Sequence, residues 1–151
     1  MVNILYLEGS RGDNDLAELV RVSMTEVIER RGHAVTPVST HAEAVSALEE
    51  SRTGTSFDLA LISNVRSPLS GVETVLAAQD EGVPQIVLLV SFGVHSALHG
   101  DPRLSSVRLL GDLARPPFVT RTIHEVLGLP EHPLDDRRFH EDLPFAETIL
   151  P

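Results

Sequence analysis

The chain has 151 residues, 42% of them hydrophobic and 23% charged, the values of a globular domain with its own core. Its formal charge is −10, which opposes duplex nucleic acid and anionic membranes, and it has no cysteine, which excludes disulfides, thiolate catalysis and cysteine-held zinc. All twelve basic residues are arginine, so no lysine is available for a Schiff base, a P-loop or general-base work.

No apolar run approaches the roughly 20 residues needed to span a bilayer. The N-terminus has no basic stretch ahead of an apolar one, so no signal peptide is expected and a cytoplasmic location is. Residues 3–7 form an apolar run that ends at Glu8-Gly9-Ser10, the pattern of a buried strand entering a turn. An amphipathic helix is predicted over about 14–31, with Leu16, Leu19, Val20, Met24, Val27 and Ile28 inward and Arg21, Glu26 and Arg30 away from them. Gly32 stands where a helix C-cap belongs.

Residues 34–38 read as a second strand, and Pro37 assigns it to a sheet edge because proline cannot donate to a ladder. Thr40-His41-Ala42-Glu43 is a capping box that opens a helix with Ala44, Val45 and Leu48 inward. Residues 57–62 form a third strand. Ser70-Gly71-Val72-Glu73 reads as a second capping box, on a helix ending near Gly82. Residues 85–90 are continuously apolar, as in a central strand covered on both faces. A mixed segment, 91–106, has room for one short helix. A fifth strand is predicted over 107–114, and a last helix follows Pro116-Pro117, with Val119, Ile123, Val126 and Leu127 inward and Gly128 at its end.

Strands that alternate with helices imply a parallel sheet with right-handed crossovers. The expected fold is α/β: a flavodoxin-like three-layer (βα)5 with strand order 2-1-3-4-5. The predicted domain spans 1–128. Residues 129–151 form an irregular C-terminal extension with four prolines and scattered apolar residues (Leu134, Phe139, Leu143, Phe145, Ile149 and Leu150), expected to pack on the domain or on a second copy.

In such sheets the working site lies at the carboxyl ends of the strands. Those ends carry Glu8-Gly9-Ser10, Ser63-Asn64, Ser91 and Arg115-Pro116. Over about residues 2–127 this layout resembles the receiver domains of bacterial response regulators. The resemblance rests on element order, on the stretch Phe57 to Gly71, and on Ala114-Arg115-Pro116-Pro117-Phe118. It implies that Glu8-Gly9 stands where receivers carry a Mg²⁺-holding acidic pair, and that Ser63 stands where they carry the phosphoacceptor aspartate. Strict counting puts Leu89 at the family's Ser/Thr position on strand 4, and a two-residue slip puts Ser91 there. The family's lysine becomes Arg115 or Pro116, and its aromatic switch falls on Asp112 or Leu113. Neither Ser63 nor Asn64 can form an acyl phosphate. One carboxylate beside a serine is a poor Mg²⁺ site.

The resemblance therefore implies an aspartate-less pseudo-receiver, with Glu8, Gly9, Ser63, Asn64, Ser91 and Arg115 forming a degenerate pocket. No catalysis, cofactor or metal is expected. Glu8 is expected to pair with Arg115 or to face water, and Ser63 and Asn64 to satisfy loop backbone groups. The usual receiver interaction face would present His95, His99, Arg103, Arg108, Arg121 and His124. Its expected occupant is another protein (a regulator, a kinase or a transcription factor) or a second copy, with no direct nucleic acid or membrane contact.

Other motifs are weaker. His95 and His99 are spaced i, i+4, and His124 could join them, but chance pairing among seven histidines is the plainer account. No G-x-S-x-G elbow supports a hydrolase, and the turn after strand 1 lacks G-x-G-x-x-G. The alternative function is a small flavodoxin-like enzyme or small-molecule-binding protein that uses the pocket at the ends of strands 1, 3 and 4.

Overall fold

A computed structural model describes residues 2–8, 15–63, 68–90, 98, 100–111 and 116–130. The elements are β1 (Asn3–Glu8), α1 (Asp15–Arg30), β2 (Ala34–Val38), α2 (His41–Glu50), β3 (Leu59–Ser63), α3 (Pro68–Asp80), β4 (Gln85–Val90), a 3-10 turn (Pro102–Leu104), β5 (Arg108–Gly111) and α4 (Pro116–Leu127). The chain divides into two compact units, Met1–Ala114 and Arg115–Pro151.

The five strands form one parallel sheet in the order β2-β1-β3-β4-β5, the flavodoxin-like order predicted from the alternation of elements. β2 is an edge strand, as Pro37 requires. In β4, Ile86 through Val90 are all buried. Because strand side chains alternate in direction, Leu5, Leu7, Ala60, Ile62, Ile86 and Leu88 line one face. They form a single cluster with Ala44 and Leu48 of α2 and Val72, Val75 and Ala78 of α3. The chain moves one way across the sheet from β1 to β2 and the other way from β2 onward, so right-handed crossovers put α1 on the opposite face. Ile4, Tyr6, Leu59, Leu61, Val87 and Leu89 are buried there, as are Met24 and Ile28 of α1.

Several local expectations change. Leu19 and Val20 of α1 are not inward: they are 63% and 42% exposed. Leu19 is five residues before Met24 and so points about 140° away from it. Val20 shares the Met24 side, yet among the described side chains of α1 only Met24 and Ile28 are buried. Arg21, predicted to point away, is half-buried and donates to Ser39 Oγ.

β3 starts two residues later than expected. The Asp58 carboxylate accepts from Asn3 N–H at 2.8 Å while Asp58 N–H donates to the Asn3 carbonyl, which closes the junction before the ladder begins at Leu59. α3 starts at Pro68, so Ser70 lies inside the helix and is not its N-cap. Proline's fixed φ and missing N–H suit the first helical turn. The Thr40 box does form: Thr40 Oγ1 accepts from Glu43 N–H at 3.1 Å. Its return arm differs, because Glu43 Oε2 accepts from Ser39 N–H, at 3.4 Å. β5 ends at Gly111, and residues 112–114 of its predicted span lie outside the described residues.

Gly82 and Gly128 terminate α3 and α4 with positive φ, 79° and 68°. In each case the following N–H reaches back into the last turn, Val83 to the Ala78 carbonyl and Leu129 to the His124 carbonyl. This is the Schellman closure, which needs a left-handed residue at the glycine.

Candidate functional site: a carboxyl held between two hydroxyls

The carboxyl ends of β1, β3 and β4 meet in register. Glu8 lies level with Ser63, and Ser63 with Leu89. Tyr6 precedes Glu8 by two residues, so strand geometry puts both on the same face of the sheet. Tyr6 is wholly buried, and its hydroxyl donates to Glu8 Oε2 at 2.8 Å. The Ser63 side chain, only 4% exposed, stands level with the same carboxyl on β3, and its hydroxyl favours the charged form of Glu8.

Burial raises Glu8 above the ordinary carboxyl range. The hydrogen bonds from Tyr6 and Ser63 and the positive charge of Arg21 oppose that rise without cancelling it. The Tyr6 phenol is pushed up, first by burial and then by the neighbouring Glu8 carboxylate, so it stays a donor. Arg21 reaches this corner from α1, bonded to Ser39 after β2 and 3.7 Å from Glu18.

Among the described residues Glu8 meets Tyr6 and Ser63, while the expected partner Arg115 lies outside them. Sequence reasoning passed over Tyr6. The available signal was the chain's single tyrosine, set in an aliphatic strand at i−2 from an acid. Leu89 pairs with Ser63 in the β3–β4 register and is buried.

Gly9, Asn64, Ser91, His95, His99 and Arg115 lie outside the described residues, as do Asp112 and Leu113. Of the other predicted surface residues, Arg103 is in the 3-10 turn and pairs with Asp101 at 2.8 Å. Arg108 is exposed at the start of β5. On α4, Arg121 lies over the Phe118 ring at 5.7 Å, and His124 Nδ1 donates to the Pro130 carbonyl at 3.1 Å. Among the described residues no three His, Cys, Asp or Glu side chains cluster as a metal site would need. None of the described helices is long and apolar enough to cross a membrane.

No family model matches the chain, and no curated protein matches its sequence. Solved structures do match its fold. A response regulator receiver domain protein from Clostridium thermocellum superposes with a TM-score of 0.68 at 13% identity, over 85% of this chain and 95% of that one. A response regulator receiver protein from Sinorhizobium medicae WSM419 gives 0.64 at 18% identity, over 84% and 94%. The receiver domain of a sensor histidine kinase from Pseudomonas aeruginosa PAO1, solved with a magnesium ion coordinated in its active site cleft, gives 0.55 at 22% identity, over 84% and 98%. At these identities the likeness is one of fold. The described donors do not fit a magnesium ion: there is one carboxyl, already accepting from the Tyr6 hydroxyl, and beside it a serine.

Proposed function

We propose that this chain is a receiver-like regulator that acts without phosphoryl transfer, by binding another protein or a second copy of itself in signal transduction. The observation that carries the reading is Ser63: a buried hydroxyl at the end of β3, level with Glu8, within a fold shared with response regulator receivers. A serine offers no carboxylate nucleophile, and an acyl phosphate cannot form on it.

The docking face belongs to the same proposal. It comprises His95, His99, Arg103, Arg108, Arg121 and His124, a relatively cationic set on a chain of formal charge −10. An acidic protein surface suits it; nucleic acid and membranes do not. The division at 128/129, drawn from composition, and a role for 129–151 at that face complete the reading.

Incubation with acetyl phosphate and Mg²⁺, followed by intact-mass measurement, should give no adduct. A stoichiometric gain of about one phosphoryl group would sink the proposal. Affinity capture from the native cell should recover a defined protein partner, and capture repeated without residues 129–151 tests whether the tail contributes.

A further inference from the structure

Tyr6 does something that the partner-binding reading leaves unused. Its side chain is fully buried, and Glu8 accepts its hydroxyl proton. A buried phenol hydroxyl with no acceptor is destabilising. Tyr6 donates to Oε2 alone, so drawing that oxygen toward another ligand takes away the acceptor that the phenol has among the described residues. Ser63 stands beside the same carboxyl on the neighbouring strand, in register with Glu8 at the carboxyl ends of β1 and β3. A divalent cation competes for the same oxygen lone pairs and must approach them to about 2.0–2.6 Å.

We propose that Tyr6 is a positioning residue that withholds Glu8 from cations, so that the end of β1 serves as a structural clasp where a metal ligand could otherwise stand. The missing acid at position 63 is then only part of the obstacle. Replacing Ser63 with aspartate adds a carboxylate but leaves Glu8 bound to the phenol. Removing the phenol hydroxyl as well frees an oxygen of Glu8 at the level of the new acid. This inference does not rest on the partner-binding reading, and the two fail separately: one is read by adduct mass and capture, the other by cation titration.

The test uses the full chain and Mn²⁺ alone as probe, with paramagnetic broadening of backbone amides at the ends of β1 and β3 as readout. Ser63→Asp should show no site-selective broadening at low millimolar Mn²⁺. Tyr6→Phe combined with Ser63→Asp should bind at least about tenfold tighter, the factor that corresponds to a buried hydroxyl left without its partner. Equal affinity in the two variants, or a folded double variant that gains nothing, overturns the proposal. A second measurement covers the case in which the double variant does not fold. In a double-mutant cycle of Tyr6→Phe and Glu8→Met, the second of which removes the acceptor, the two changes, read by urea unfolding, should be coupled by about threefold or more in the folding equilibrium. Independent effects overturn the proposal.

Discussion

The folded chain holds the Glu8 proton more tightly than the unfolded chain does, and that difference sets a pH dependence of known sign. Burial raises its folded value above the ordinary 4.5. The contribution of Glu8 to stability is fully present below the ordinary value and is lost as pH rises through the folded one. Glu8→Gln keeps the shape and removes the titration. Its stability relative to the parent should rise with pH from about 4 upward. Urea unfolding of both proteins at several pH values checks this, and a constant difference would remove Glu8 as the cause. Tyr6 belongs to the same balance, since a phenol held neutral remains a donor throughout that range.

At the scale of elements, glycine separates conformational need from mere space. Gly82 has φ +79° and no heavy atom within 4 Å of an added Cβ, so only backbone strain opposes alanine there. Gly100 is equally open and does not adopt the left-handed region. Gly82→Ala should cost about 1 kcal/mol or more, while Gly100→Ala should be neutral or slightly stabilising. Urea midpoints of the two variants decide it; equal midpoints would mean that the α3 terminus yields freely. The same local chemistry explains what was legible in advance. Strand order follows from the alternation of elements, and Pro37 marks the edge strand. The Thr40 box was readable because its partners are three residues apart. The Ser70 box was misread because Pro68, a stronger start signal, lay two residues upstream. The exposure of Leu19 was hidden because apolar periodicity gives a stripe but not its centre. The Tyr6–Glu8 bond spans only two residues and could have been found from strand periodicity. Its closure by Ser63 depends on β1–β3 register, which no local pattern specifies.

For the molecule as a whole, a formal charge of −10 opposes the binding of polyanions. Twelve arginines are outnumbered by 22 acids, and some basic side chains are already paired. Arg52 grips Glu81 across the α2–α3 side, and Arg103 holds Asp101. Both acids are lowered by these arginines, so the pairs stay charged in neutral solution. Neither pair adds much stability, because each is open to water. The full chain should pass through a heparin column at roughly physiological salt without retention, where the Debye length is about 8 Å. Salt-dependent retention would point to a local basic patch strong enough to overcome the overall field, and would reopen nucleic acid as a partner.

The chain contains one tyrosine and no tryptophan, and that tyrosine is Tyr6. Ultraviolet emission excited above the phenylalanine band therefore comes from one ring, sealed inside the sheet and hydrogen-bonded to a carboxyl group. Such a bond dims a phenol's fluorescence, so its rupture would brighten the signal. The protein thus carries a label-free optical gauge at the junction of its first and third strands, and light alone could follow that junction during titration, unfolding or complex formation.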